Sequence, residues 1–265
     1  MEKSMKKRLL IVVLAAAAAA CIEAQHVPIF PQGDIELQSR AQLVANVGSW
    51  DILAELVGKL HDLDSPIHSF ESVTVGGYYR VIPNLKVGAL VRLQAGARHD
   101  EDVIANQATQ QWDWNPDVPG RLEGVLMLDV SPRFRLDFLP GADWVLMLKG
   151  RYIYNTFNGQ MSVLARPELT WFWIQGRDPF LNIAAGYEIY FPLNFGSSLI
   201  YQSYPWLSLL YHATLEVGIE LTAAYKTTTW STSTSWGGPP NLWDSYSTPV
   251  HTWAFSLGVV YTPSF

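Results

Sequence analysis

The sequence predicts an all-β chain, closed into a transmembrane up-and-down antiparallel barrel of ten strands, with eight as the alternative count. Three observations predict it. First, lipophilic residues recur at every second position in ten segments after residue 34, the period of a strand with two unlike faces. Hydrophobic content is 49% and aromatic content 13%, yet after the leader no apolar run reaches the roughly 20 residues of a spanning helix. Second, charge keeps to one parity. Of 18 Lys and Arg, four lie in the first eight residues, and Lys59, Arg98, Arg121 and Arg177 lie in or beside expected connections. The other ten fall on the polar parity of a strand, and Glu71, at a strand mouth, is the one acid on the lipophilic parity. An Arg or Lys facing mid-bilayer from a barrel costs about 2–4 kcal/mol, so such segregation is expected of lipid-facing strands. Third, aromatic residues on the lipophilic parity recur ten positions apart, Trp144 with Tyr154 and Tyr201 with Tyr211. Ten residues at about 3.3 Å each, tilted about 40°, rise roughly 25 Å, the height of a barrel's apolar band.

The elements follow in order. Residues 35–46 set Ile35, Leu37, Ala41 and Leu43 against Glu36, Gln38, Arg40 and Gln42. Residues 47–69 are expected to be a long connection, with a short helix over 51–61 from its apolar spacing. Residues 70–81 and 85–96 form a hairpin across Ile82-Pro83-Asn84, and a loop fills 97–120. Residues 121–138 keep one parity throughout, with Pro132 bending or splitting the strand. A turn at 140–143 leads to 144–156, which pairs with 160–173 across Asn158-Gly159, a strong hairpin signal. A turn at 175–179 leads to 180–191. Then come the weaker 201–212, the strong 214–227, a Ser/Thr/Trp-rich loop at 228–249, and a last strand over 251–265. An even count places both termini at the end of the tight turns, with the connections near Asp51, His99 and Trp236 at the other.

The amino terminus carries Lys3, Lys6, Lys7 and Arg8, then an apolar run from Leu9 to Ala20. That pattern is a secretory signal peptide, with cleavage expected after Ala24. A loose lipobox ending in Cys21, the single cysteine, is the alternative. The expected organisation is a signal at 1–24, a periplasmic segment at 25–34 and a barrel over 35–265. Cleavage leaves no thiol chemistry in the mature chain. A net charge of -6 argues against nucleic acid as a partner.

The last strand, with Trp253, Phe255, Leu257, Val259 and Tyr261 in alternation and Phe265 in register with them, resembles the terminal strand of bacterial outer-membrane β-barrels. The resemblance implies an outer-membrane location, a monomer surrounded by lipid, and an assembly machinery that reads Phe255, Tyr261 and Phe265. It extends to small integral outer-membrane barrels over residues 35–265. Gly76-Gly77-Tyr78-Tyr79-Arg80 and Arg98-His99-Asp100-Glu101-Asp102 look like segments of uncharacterised small barrels of spirochaetes. The expected aromatic girdle is Trp144, Tyr154, Trp171, Trp173, Tyr201, Tyr211, Tyr225 and Trp253, since Trp and Tyr favour both membrane interfaces.

The polar parity supplies the expected lumen charges. The acids are Glu36, Glu123, Asp129, Asp137, Glu168, Glu188, Glu216 and Glu220. The bases are Arg40, Arg80, Lys86, Arg92, Arg133, Arg135, Lys149, Arg151, Arg166 and Lys226. In a small barrel such side chains pair and close the lumen, giving an envelope protein with a structural or surface role. A narrow pore lined by the same groups is the alternative, with little ion selectivity expected from the near balance of sign. The His61-Asp62-Leu63-Asp64 and His99–Asp102 stretches resemble loop dyads of outer-membrane proteases and lipid A-modifying enzymes. No ordered motif of either group is present, so no enzymatic activity, metal or cofactor is expected, and an adhesin or a loop-based outer-membrane enzyme stands as the second alternative. Trp112, Trp114, Trp230, Trp236, Trp243 and Tyr246, among Ser, Thr, Asn and Gly, suit recognition loops for a host or small-solute ligand.

Overall fold

The computed structural model describes residues 35–61, 67–95, 103–106, 111–114, 122–139, 143–157, 159–176, 178–194, 199–231 and 247–263. Thirteen strands follow one another: β1 Ile35–Val47, β2 Trp50–His61, β3 Ile67–Ile82, β4 Leu85–Ala95, β5 Val103–Asn106, β6 Gln111–Trp114, β7 Glu123–Arg135, β8 Asp143–Asn155, β9 Met161–Gln175, β10 Asp178–Pro192, β11 Gln202–His212, β12 Val217–Ser231 and β13 Ser247–Tyr261. Eleven of them close a barrel in sequence order, β13 meeting β1, while β5 and β6 pair only with each other.

The count is eleven rather than ten because residues 51–61 are strand, not helix. β2 pairs along its length with β1 on one side and β3 on the other. Its sequence misleads because Leu53 and Val57 face the lumen while Ile52 and Leu56 face out. Apolar residues on both faces blur period two into a helix-like spacing. The expected loop after β4 likewise contains the β5–β6 hairpin, four residues a strand.

An odd number of strands forces one parallel pair. β1 runs parallel to β13, with Ile35 level with Trp253 and Leu43 level with Tyr261. The start of β1 and the end of β13 therefore lie at opposite ends of the barrel, correcting the expectation that both termini share one side. Connections at the end where β13 finishes include tight turns at Gly48-Ser49 and Pro83-Asn84, and β9 ends there at Gly176. Gly48 (φ 60°) and Gly176 (φ 71°) supply the left-handed conformation such turns require. The opposite end carries the connection with β5–β6 and the one between β12 and β13. Asp51, expected near an outer loop, sits at the tight-turn end.

Burial is inside out. Along β7, Leu128 is 57% exposed on the outer wall, whereas Met127 and Asp129 beside it are each 2% exposed. Ile52, Val75, Leu126, Val130, Leu221 and Leu257 are likewise exposed. The inner wall holds two apolar patches, Leu90–Val125–Met127 and Trp206–Ala224–Ala254, and between them lie the charges.

Candidate functional site

The inward positions place acids and bases on adjoining strands, and they meet in clusters. Asp129 on β7 accepts from Arg151 Nε on β8 at 2.6 Å and from Arg151 Nη2 at 2.8 Å. Lys149 Nζ lies 3.0 Å from the same carboxylate, and Tyr78 donates its hydroxyl at 2.7 Å. Glycine at position 88 makes this possible: a Cβ there would stand 2.4 Å from the Tyr78 ring.

On β9 and β10, Arg166 contacts Glu168 at 2.8 Å and Glu188 at 3.1 Å, and lies over the Trp206 ring at 4.3 Å. Tyr190 and Tyr204 donate to Glu188 at 2.8 and 2.6 Å. Arg40 on β1 holds Glu55 of β2 at 2.7 Å and, across the parallel seam, Glu220 of β12 at 3.0 Å, and Glu220 accepts from Ser208 at 3.0 Å. Glu36 pairs with Lys226 and, at 3.8 Å, with Lys59. Lys86 pairs with Asp51. Glu123 accepts from Gln94 at 3.2 Å and Asn155 at 2.9 Å, and Arg92 donates to Thr74 at 3.2 Å.

None of these contacts spans more than three places round the ring of eleven strands. Eleven strands about 4.8 Å apart and tilted about 40° give a backbone radius of roughly 11 Å. The pairs therefore run along the wall, and a cavity of about 610 Å³ remains inside them. It is lined by every inward residue of β2 from Asp51 to Lys59, and by residues of the strands opposite.

Of the expected lumen charges, thirteen face the interior within the strands. Five do not lie deep. Arg80, Arg133 and Arg135 are exposed at the tight-turn rim, although Arg133 still lines the cavity. Asp137 and Glu216 fall in turns after β7 and before β12 rather than in strands. Arg135 contacts Asp137 and Asp143, both at 2.6 Å. Asp51, Glu55 and Lys59 were missed as lumen groups because residues 51–61 read as a helix. Tyr78, Tyr190, Tyr204 and Trp206 were missed too; the available signal was an aromatic on the polar parity.

The girdle residues form two belts on the outer wall. At the tight-turn end Trp144, Trp171, Trp173, Phe180 and Tyr211 follow one another with ring centroids 5.1–6.3 Å apart. At the other end Tyr225 meets Trp253 at 4.9 Å, Trp253 stacks on Phe255, and Tyr154 closes β8. Tyr201 instead lies just before β11 and packs on the lumenal Tyr190 at 5.8 Å. Phe255 and Tyr261 take outward positions in β13, level with Ala223 and Val217 of β12. Phe265, the leader, residues 25–34, Asp62, Asp64, the His99–Asp102 stretch, Trp236, Trp243 and Tyr246 lie outside the described residues.

No protein-family model, curated protein or solved structure matches the chain.

Proposed function

We propose that the chain is an integral outer-membrane barrel whose lumen is a narrow, charge-lined passage for small polar solutes. The membrane part of this reading is supported by the outer wall, where large apolar side chains are exposed between two aromatic belts. A water-soluble barrel has little use for that arrangement. Export by a cleaved signal peptide and insertion by an assembly machinery that reads Phe255, Tyr261 and Phe265 belong to the same proposal. So do a monomeric state and surface-exposed connections at the end where β12 joins β13.

One observation favours passage over plug: the ion pairs lie along the wall and leave the cavity of about 610 Å³ between them. Side chains fill an eight-stranded interior, whereas a wider ring leaves room for water. Charged walls with open space between them let a hydrated solute pass. Refolded protein in a planar bilayer is expected to give discrete conductance steps. Folded, inserted protein that carries no current would overturn the passage and leave a structural barrel.

A further inference from the structure

Near balance of sign in the sequence suggests a lumen without ion preference, but the geometry separates the two signs. In the lumenal pairs the base is the more exposed partner. Arg40 is 32% exposed against 13% for Glu55 and 19% for Glu220, and Arg166 is 28% exposed against 14% for Glu168 and 9% for Glu188. Lys59 is 26% exposed against 4% for Glu36, and Lys149 and Arg151 are each 14% exposed over a fully covered Asp129.

The cause is reach. A carboxylate on a short arm stays against the backbone wall, while a Lys or Arg stem extends over it and keeps its head toward water. Among the described residues, nine basic side chains line the cavity against five acidic ones. Glu36, Glu123 and Asp129 are inward but lie behind the lining, each at most 4% exposed.

In a cleft with low-dielectric walls the charges nearest the axis dominate the field a permeating ion meets.

We propose that the lumen selects small anions over cations, with Arg40, Lys59 and Arg166 presented to the permeating ion. This rests on the passage reading above. The test uses refolded full-length mature protein in a planar bilayer under a KCl gradient, with chloride as the probe. The expected reversal potential is displaced toward the chloride equilibrium value, and Lys59→Glu moves it back toward zero. Lys59 is chosen because its contact with Glu36, at 3.8 Å, is the longest of these pairs, and Glu36 keeps its pair with Lys226. The wild-type measurement stands by itself should the variant not fold. A reversal potential at zero or toward the potassium value overturns anion selection and leaves the passage standing. Absence of current from folded protein overturns both.

Discussion

Arg151 holds Asp129 bidentately through one guanidinium edge, Nε to Oδ1 at 2.6 Å and Nη2 to Oδ2 at 2.8 Å, on a carboxylate with no exposed surface. Removing one partner of a buried pair leaves an uncompensated charge and costs about 3–5 kcal/mol. Asp129→Leu is therefore expected to lower barrel stability by about that amount, because it strands both Arg151 and Lys149. Urea titration in lipid vesicles, followed by the shift between folded and unfolded bands on a gel, measures it. A midpoint equal to wild type would mean the pair contributes nothing to the fold.

Gly88 leaves the space in which the Tyr78 ring lies, and Gly186 does the same for Trp206, whose ring stands 2.5 Å from where a Cβ would be. Overpacking of this kind costs about 1–3 kcal/mol. Gly88→Ala is expected to destabilise by that order and to displace the Tyr78 hydroxyl from Asp129. Combined with Tyr78→Phe, the loss should be less than additive. Full additivity would separate the glycine from the tyrosine.

The outer wall sets a depth-dependent expectation. Leu128 stands mid-strand on β7, so Leu128→Arg is expected to cost about 2–4 kcal/mol. Leu215, in the turn before β12, lies at the rim, where the same substitution is expected to cost about 0–1 kcal/mol. The same vesicle titration reads both, and equal costs would argue against a bilayer around the strands.

The parallel seam is testable by chemistry. Single-chain bacterial outer-membrane barrels have even strand counts as a rule, so the register Ser39–Leu257 is a distinctive claim. In a Cys21→Ser background, cysteines at 39 and 257 are expected to cross-link on oxidation, since seam partners lie within disulfide reach. Cysteines at 37 and 261, which the parallel register holds apart because Leu37 is level with Phe255 and Tyr261 with Leu43, are expected to stay reduced. The reverse pattern would remove β2 from the ring.

Much of this architecture is legible along the chain because the outer wall takes apolar residues at every second position. β7 and β13 read clearly, since Leu126, Leu128 and Val130, or Phe255, Leu257 and Val259, alternate with residues of another kind. β2 is illegible for the opposite reason: its lumenal face carries Leu53 and Val57 as well as Asp51, Glu55 and Lys59, and neither face is purely polar. Which charges would line the interior follows from parity. Which ones would stand behind the others does not, because that depends on side-chain reach and barrel width. The lumenal tyrosines are hard to read because the interior is expected from charged side chains alone: Tyr78 falls on the polar parity beside Arg80, but carries no charge to mark it.

Whether the outer wall faces lipid and the inner wall water is read by site-directed spin labelling. Nitroxides at Leu128 and at Thr222, in a Cys21→Ser background in vesicles, should behave oppositely. The label at 128 is expected to collide with oxygen dissolved in the acyl chains and to be shielded from a water-soluble nickel chelate, while the label at 222 meets the chelate. A label at 128 open to the chelate and one at 222 sealed from it would mean that lipid does not surround the outer wall.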